Sequence, residues 1–333
     1  MTKSRMLTRR TFVRSAVLAT AAWPAFASAL RAQTADYPTG PIRTICMFPP
    51  GTGADVRVRF YANKLAALAG KPVIVENKPG AFGAIATEAV ARARPDGYTI
   101  YITPGSSTHA AAPHIFKTLA FDPINDFEHI TTLSTAAFLL CVAATSPFKT
   151  VPELTAYLKA QGDKASYGSI AIPGYVASEM YKAAFGLQTV EVKYKEPGGF
   201  NNDLLSGQLA FVHSDLGTIA ANLRAGRVRA LATTSDKRLA AVPDIPGAEE
   251  AGIPGMNLRI WWSVHVPAKT PKPICDKLEA WFNAIVADPE TRAFNANTGA
   301  DSLPGNSQML KELLARETRT WGEYAKIAKI RVE

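Results

Sequence analysis

The sequence contains little cysteine, little histidine and no apolar run long enough to span a membrane, and each scarcity excludes a class of protein. Three of its 333 residues are cysteines, at Cys46, Cys141 and Cys275. An odd number leaves at least one thiol unpaired, which argues against a disulfide scaffold. Cys46 and Cys141 lie in apolar, strand-like runs, where a buried thiol behaves as a small hydrophobic side chain. We therefore expect three inert thiols.

The motifs of exported hydrolases are also missing. The sequence has no G-x-S-x-G motif and no H-E-x-x-H motif. Its five histidines show no metal-ligand spacing, because His109 and His114 are five residues apart and His129, His213 and His265 stand alone. We expect a protein that is not an enzyme and holds no metal and no cofactor; a secreted hydrolase remains an alternative.

The first 32 residues are typical of an export signal. The segment 4–14 reads SRMLTRRTFVR, with two adjacent arginines, and an Ala-rich apolar run follows over 16–30. This order predicts a twin-arginine signal peptide over 1–32, with cleavage near 29–32. The apolar run is shorter than the ~20 strongly apolar residues that a membrane span needs. A basic, disordered N-terminus is the alternative. The predicted location is the periplasm, which supplies neither ATP nor NAD.

Removal of that segment lowers the charge. The formal net charge of +9 includes five cations and no acid within the first 14 residues, so cleavage after Ala29 leaves +4. The remaining cations are scattered among acids, which is not the footprint of a nucleic-acid-binding protein. A small anionic ligand fits this balance better, and we expect a monomer.

Strand and helix patterns alternate along the rest of the chain. Apolar runs of strand length predict strands over 42–48, 72–76, 98–103, 138–144, 165–169, 189–193, 209–212, 230–234 and 260–266. Helical periodicity and end signals predict helices over 54–69, 84–94, 151–161, 176–185, 201–205, 272–287 and 308–330. The last two helices are expected to return to the first lobe.

This order predicts an α/β protein built from two doubly wound α/β lobes. About 300 mature residues are enough for two separate cores. The expected first lobe comprises 33–137 and 262–333, and the second comprises 138–261. The chain would cross between the lobes near 134–138 and 259–262, and these crossovers would act as the hinge.

Several sequence blocks carry a family resemblance over nearly the whole mature chain. They read YPTGPIRTICMFPPGTGADVRVR, KPVIVENKPGAFGAIATEAVARARPDGYT, DLLSGQLAF, LRAGRVRALATTSDKR and VPDIPGAEEAGIPG. In this order and spacing they resemble the Bug-type substrate-binding proteins of tripartite tricarboxylate transporters. The resemblance implies a periplasmic-binding-protein fold of type II with a central cleft between two lobes. It also implies a carboxylate ligand, bound without a covalent cofactor and delivered to membrane permease subunits.

The loop after the first strand fits an anion site on physical grounds. Residues 49–53 read PPGTG and open directly into a helix, which leaves the N–H groups of its first turn free to bind a carboxylate. Gly51 and Gly53 permit a close approach, Thr52 offers a hydroxyl, and Asp55 is expected to bond to loop N–H groups and hold the loop in shape. The alternative is a simple helix cap.

Other loops also follow strands and are expected to converge on the same cleft. Ser106, Ser107 and Thr108 offer hydroxyls to an anion, although such clusters also act as local caps. Lys193 and Lys195 flank Tyr194, but we expect them to face solvent. The complete set of candidate ligand-binding residues is Phe48, Gly51, Thr52, Gly53, Asp55, Phe82, Ser106, Ser107, Thr108, Ile172, Tyr175, Tyr194, Gly198 and Asp215.

Two departures from the family pattern favour an aromatic ligand. Where relatives commonly carry a polar GNGTPSH-like loop, residues 169–175 read SIAIPGY, and the common YKGSAP-like stretch reads YKEPGGF over 194–200. Together with Phe82, these changes add apolar and aromatic surface to a polar cleft, which favours a planar ligand. A phthalate-type diacid such as terephthalate becomes the favoured ligand, ahead of C4–C6 di- and tricarboxylates. The alternative is that Phe82, Tyr175 and Phe200 pack inside their own lobes.

The expected function is therefore capture of a small carboxylate by lobe closure. Ligand favours the closed state by the extra contacts that it makes there, and a permease would recognise the closed form. A solute sensor for a membrane receptor would use the same fold and cleft, so it remains the main alternative.

Overall fold

Two β-sheets, each covered by helices, form the part of the chain that the structure describes, residues 37–194 and 197–330 of a computed structural model. The predicted signal peptide over 1–32 lies outside the described residues. The strands are β1 (Ile42–Cys46), β2 (Val73–Asn77), β3 (Thr99–Thr103), β4 (Phe127–Ala137), β5 (Leu139–Ala143), β6 (Ser166–Ser169), β7 (Val190–Lys193), β8 (Phe211–Ser214), β9 (Val228–Thr233), β10 (Arg259–Pro267) and β11 (Ala300–Ser302).

The helices alternate with these strands over most of the chain. They are α1 (Gly53–Ala69), α2 (Ala84–Ala91), α3 (Ala112–Ile115), α4 (Val151–Gln161), α5 (Ile172–Phe185), α6 (Pro197–Leu205), α7 (Leu216–Arg224), α8 (Lys272–Ala287), α9 (Pro289–Asn297) and α10 (Ser307–Ile327). Shorter helical segments occur at Ala81–Gly83, Ser106–Ala111 and Gly162–Lys164. The predicted α/β class is confirmed.

The first sheet has six strands in the order β11-β4-β10-β3-β1-β2, and the second has five in the order β7-β6-β8-β5-β9. We call each sheet with its helices a lobe. Strands β1, β2 and β3 run parallel, as do β6, β7 and β8, whereas β4, β10 and β11 pair antiparallel in the first sheet, and β5 and β9 do so in the second. The lobes are therefore mixed sheets, not purely parallel ones.

Capping residues close in sequence set the ends of helix α1, whose first turn adjoins the expected site. Helix α1 begins after Thr52, whose side chain accepts a hydrogen bond from the Asp55 N–H, and ends at Gly70 in the left-handed conformation (φ 63°). Thr150 forms a capping box with Glu153 at the start of α4. Such caps satisfy N–H and C=O groups that a helix leaves unpaired at its ends, so these boundaries are readable from sequence.

The chain leaves the first sheet at Ala137, enters the second at Leu139 and returns at Arg259. Residues 259–261, which the sequence analysis assigns to the second lobe, belong to the first sheet because they pair with β4 at Ala137, Ala136 and Thr135. The returning strand therefore begins before the expected boundary at 262.

The C-terminal helix α10 contacts both lobes. It packs on β4 and on the segment Ser106–Ala111 of the first lobe, and also on α5 of the second. The Tyr324 hydroxyl donates to the Asn257 carbonyl oxygen at 2.8 Å, and the Tyr175 hydroxyl donates to that of Ala328 at 2.7 Å. A buried cluster that includes Trp321 extends across this junction. Helix α10 thus returns to the first lobe as expected, but it also contacts the second lobe, which the sequence does not indicate.

The three thiols are unpaired: Cys46 and Cys141 are buried and Cys275 is partly buried. Burial raises the pKa of the Cys275 thiol to about 12 and raises that of Cys141 further. Both sulfurs are therefore protonated and unreactive at neutral pH.

The close approach of the chain after β3 to strand β10 generates a stability prediction. A Cβ atom at Gly105 would overlap the buried Trp261 ring and the Ser263 hydroxyl. We expect Gly105→Ala to cost roughly 1–3 kcal/mol of unfolding free energy, because a packed neighbour must move. Thermal unfolding followed by circular dichroism measures this, and Gly40→Ala, whose Cβ meets nothing within 4 Å, is the control. Equal melting temperatures for the two variants would contradict the packing described here.

Candidate ligand-binding cleft

Loops that follow parallel strands gather at one edge of the first sheet. Because β1, β2 and β3 are parallel, their carboxyl ends share that edge. A Cβ atom at Gly83 would lie 2.6 Å from Met47 Cε and 3.2 Å from Thr108 Cγ2, so the loops after all three strands touch one another. The structure thus brings into contact the three loops that carry the candidate residues of the first lobe.

The loop before α1 is held by internal hydrogen bonds. The Thr52 hydroxyl donates to the Pro49 carbonyl oxygen at 2.9 Å and accepts from the Asp55 N–H at 3.2 Å, so it acts as a helix cap. The Gly51 N–H donates to Asp55 Oδ2 at 2.9 Å, which is the role that the sequence analysis gives Asp55. Gly51 carries the positive φ of 80°, whereas the Gly53 backbone is ordinary.

The first turn of α1 retains two free N–H groups. Among the described residues, the N–H groups of Gly53 and Ala54 have no hydrogen-bond partner. A Cβ atom at Gly53 would meet nothing within 4 Å, so there is open space beside the first turn of α1. Two unpaired donors at the positive end of a helix dipole are suited to a carboxylate.

Asp55 is the buried anchor of this loop. It accepts hydrogen bonds from Asn77 Nδ2 at 2.7 Å and from Arg59 Nε at 2.8 Å, in addition to the Gly51 N–H. Burial raises the pKa of the Asp55 carboxyl, but these hydrogen bonds outweigh that effect and bring its pKa to about 2. Asp55 is therefore ionised and committed to shaping the loop.

The hydroxyls after β3 point mostly inward. Ser106 and Thr108 are buried and Ser107 is partly buried. Thr108 Oγ1 donates to the Pro104 carbonyl oxygen at 3.2 Å and lies 2.9 Å from His109 Nδ1. The Ser106 hydroxyl is buried without a partner among the described residues. Thr108 thus acts as a local cap, which is the alternative to an anion-binding role for this residue.

Two aromatic side chains of the first lobe differ in their packing. Phe48 is partly buried and stacks on Trp262, with ring centroids 6.0 Å apart. Phe82 is 56% exposed, and both Ala81 and Phe82 adopt a left-handed backbone, at φ 44° and 48°. The alternative that Phe82 packs inside its lobe is therefore wrong.

Candidate residues of the second lobe follow β6, β7 and β8. Ile172 and Tyr175 are partly buried at the start of α5, and the Tyr175 ring lies 6.0 Å from Lys193 Nζ. Gly198 is exposed, with open space where a Cβ would lie. The Asp215 carboxylate caps α7 by accepting from the Thr218 N–H at 3.0 Å.

The aromatic residues after β7 pack within the second lobe. Tyr194 donates its hydroxyl hydrogen bond to Asp203 and packs edge-to-face on Phe200, with centroids 5.8 Å apart. Phe200 is fully buried, as the alternative for that residue holds. Because these rings are occupied by their own core, they offer little surface for stacking on a ligand.

Two residues that sequence reasoning missed lie beside the candidate site. Trp262 is buried and packs on the Phe48 ring, and the Arg57 guanidinium lies 5.5 Å from the Trp262 ring centroid. Arg57 is buried one helical turn after Gly53. The i, i+4 spacing from Gly53 to Arg57 was the signal that could have found Arg57, since such residues share a helix face.

Three histidines that are far apart in sequence form one buried cluster. The rings of His109 and His265 stack with centroids 3.9 Å apart, and His265 Nδ1 lies 2.8 Å from His129 Nδ1. Burial lowers the pKa of His129 to about 4 and lowers that of the other two further. These histidines are therefore neutral at pH 7. No group of three or more His, Cys, Asp or Glu residues in the described chain could hold a metal ion.

Depressions of about 450 Å³ and 400 Å³ lie elsewhere on the first lobe. Both include His129 and Lys311 among their lining residues, and neither includes any candidate ligand-binding residue. These depressions are therefore separate from the strand-end loops that carry the free N–H groups. Within residues 37–194 and 197–330, no helix is long and apolar enough to cross a membrane.

Comparison with known proteins gives one consistent family. Residues 57–330 match the model of the tripartite tricarboxylate transporter family receptor. A UPF0065 protein of Bordetella bronchiseptica is 32% identical over 301 residues, which cover 89% of this chain and 87% of that protein.

Solved structures of similar proteins share the fold. The R. palustris protein Rpa4515 with adipate is 28% identical, with a TM-score of 0.80 over 89% of this chain and 100% of its own. The periplasmic binding protein BugD is 30% identical, with a TM-score of 0.77 over the same shares. MatC from Rhodopseudomonas palustris with bound malate is 26% identical, with a TM-score of 0.74 over 86% of this chain and 99% of its own. The protein therefore belongs to the family of tripartite tricarboxylate transporter receptors, and its fold is that of the two-lobed periplasmic binding proteins.

Proposed function

We propose that this solute-binding protein captures a small dicarboxylate between its lobes and delivers it to the membrane subunits of a tripartite tricarboxylate transporter. The observation that carries the proposal is the pair of free N–H groups at Gly53 and Ala54, at the open end of α1. Asp55 holds the loop around them in shape by accepting from Gly51. Solved relatives that contain adipate and malate support a carboxylate of this size.

An aromatic dicarboxylate such as terephthalate is the ligand that we favour. The exposed Phe82 ring lies in a first-lobe loop, and Ile172 and Tyr175 are partly buried at the start of α5 in the second lobe. A planar ligand between them would bury apolar surface and stack, adding about 0.5–1.5 kcal/mol per aromatic pair beyond burial of area. Tyr194 and Phe200 no longer support this choice, because they pack within the second lobe. An aliphatic C4–C6 diacid is the second candidate, since adipate and malate are bound by relatives.

The proposed site of action is the periplasm, reached by the twin-arginine signal over 1–32. We propose that the protein acts as a monomer, without nucleic acid and without catalysis. A sensor that presents its closed form to a membrane receptor would use the same cleft. Loss of ligand uptake on deletion of the gene would support transport, and unchanged uptake with lost transcriptional or motile response would support sensing.

The first prediction concerns the mature protein itself. We expect isothermal titration calorimetry to detect one-to-one binding of at least one dicarboxylate from a panel of aliphatic and aromatic acids, with no turnover of the ligand. The free N–H groups of α1 supply the reason, because unpaired donors at the positive end of a helix favour an anion. A protein that bound no carboxylate but hydrolysed esters or peptides at an enzymatic rate would overturn the proposed function.

The second prediction ranks the ligands. We expect terephthalate or phthalate to raise the melting temperature more than succinate, malate, adipate or citrate, each at the same concentration. Ligand at 100 times its dissociation constant adds about 2.7 kcal/mol, which corresponds to a shift of several degrees. A larger shift with malate or adipate would replace the aromatic ligand by an aliphatic one and leave the carboxylate site in place.

The third prediction tests the α1 loop. We expect Gly53→Val to abolish binding while the protein stays folded, because its side chain would cover the two N–H groups and its Cβ would meet nothing within 4 Å. Gly40→Val, also at an open position, is the matched control and should bind normally. Thr52→Ala should weaken the helix cap by about 0.5–2 kcal/mol while binding persists. A folded Gly53→Val variant with wild-type affinity in calorimetry would place the site elsewhere.

A further inference from the structure

Arg57 is a buried cation without a buried anion beside it. The residue is 7% exposed. Its Nη1 donates to Asn295 Oδ1 at 3.0 Å and to Ser134 Oγ at 3.4 Å, and its Nη2 donates to Thr298 Oγ1 at 2.8 Å. All three acceptors are neutral. No ion pair among the described residues includes Arg57.

Such burial is unfavourable unless something offsets it. Removing a charge from water is costly, and neutral hydroxyl and amide acceptors compensate that cost less than a carboxylate would. The guanidinium also lies 5.5 Å from the Trp262 ring centroid and 5.7 Å from that of Phe294, so aromatic faces provide part of the compensation. The burial lowers the pKa of Arg57, but an arginine remains charged throughout the accessible pH range.

The position of Arg57 ties it to the proposed ligand. Arg57 follows Gly53 by four residues, so both lie on one face of α1 about one 5.4 Å turn apart. Helical side chains lean toward the N-terminus, and the Arg57 side chain therefore leans toward the end of α1 where Gly53 and Ala54 carry free N–H groups.

The same guanidinium lies where the two lobes meet. A Cβ atom at Gly299, next to the Thr298 that accepts from Arg57, would clash with Leu216 of the second lobe. Asp215 directly precedes Leu216, and its charge opposes the lowering of the Arg57 pKa. Arg57 thus lies close to the contact between the lobes, and the second-lobe carboxylate of Asp215 is near enough to influence its pKa without pairing with it.

The other charges around the site are already engaged. Asp55 pairs with Arg59 at 2.8 Å, and the Asp215 carboxylate accepts from Thr218 N and Oγ1 at 3.0 and 2.7 Å. Arg57 is therefore a cation near the first turn of α1 that has no ion-pair partner among the described residues.

We propose that Arg57 is a specificity-determining residue that selects dianions, because it faces the second carboxylate of a ligand whose first carboxylate lies at the N-terminus of α1. This inference rests on the proposed function and adds the reason for a preference for two carboxylates. Asp215 opposes this preference, because its negative charge partly offsets the positive charge of Arg57 and so weakens the attraction of Arg57 for a ligand carboxylate. In the low-dielectric interior, both effects are stronger than they would be in water.

The test compares each diacid with its own monomethyl ester. The probes are terephthalate against monomethyl terephthalate and adipate against monomethyl adipate, titrated by calorimetry at neutral pH and fixed salt. We expect the wild type to bind the diacid of at least one pair ten-fold or more tightly than its ester. Arg57→Met should reduce that ratio to near one while ester affinity changes by less than about three-fold. Arg57→Lys should restore part of the ratio.

Two further variants separate selectivity from structure. Arg94→Met removes an equal charge from a side chain that is 91% exposed and should leave the ratio unchanged. Asp215→Asn keeps a good helix cap and leaves the hydrogen bonds of Arg57 intact, so it remains informative if Arg57→Met does not fold. It should raise the diacid-to-ester ratio several-fold.

The outcomes distinguish this inference from the function on which it rests. A wild type that binds neither member of either pair would overturn both. If the wild type binds the diacid and Arg57→Met leaves the diacid-to-ester affinity ratio unchanged, the inference alone is overturned. An equal loss of affinity for the diacid and the ester would do the same. In both cases Arg57 keeps a structural role. An Asp215→Asn ratio that stays constant or falls would overturn it as well.

Discussion

The antiparallel pairing of β4 with β10 is the interaction on which the other features of the molecule depend. The two strands pair from Phe127 opposite Pro267 to Ala137 opposite Arg259, so one end lies within the first lobe and the other adjoins both crossovers. The pairing also fixes Trp262, on which Phe48 and Arg57 pack from the candidate site. Because the same ladder supports the candidate site and the junction of the lobes, a change in lobe orientation would act directly on the candidate ligand-binding loops.

This central pair is unusually polar for a buried ladder. Strand β4 reads FEHITTLSTAA, and most of its threonine, serine and histidine side chains are buried. Three of them have partners distant in sequence: Thr131 donates to Asn283 at 3.1 Å, Thr132 donates to the Leu303 carbonyl oxygen at 2.8 Å, and His129 lies 2.8 Å from His265. Each bond contributes only about 0.5–1.5 kcal/mol, but an unpaired buried group would cost about 1–3 kcal/mol. The polar residues thus specify which elements pack on β4.

The difference between local and distant partners decides how much of the molecule its sequence could predict. Helix α1 begins within one residue of its predicted start, because Thr52 and Asp55 form its cap from adjacent positions. Strand β4 is absent from the predicted strands, since its polar side chains break the apolar pattern and their partners lie up to 171 residues away. Likewise, the loop around Gly51 was predicted from its own residues, whereas Arg57 was not, because its acceptor Asn295 is 238 residues distant. Aromatic residues gave a mixed result: sequence type alone does not tell an exposed ring such as Phe82 from one that fills a core.

The C-terminal helix sets a physical condition on lobe closure. It packs on both lobes, and its end accepts a hydrogen bond from Tyr175, a candidate ligand-binding residue in the first turn of α5. A rigid rotation of the second lobe must therefore either pivot about α10 or break that 2.7 Å bond and repack the cluster around Trp321. Packed cores resist continuous deformation, so a pivot that preserves the cluster is favoured over repacking. In such a pivot the Tyr175 ring moves little, and closure brings the remainder of the second-lobe loops toward it and toward the N-terminus of α1.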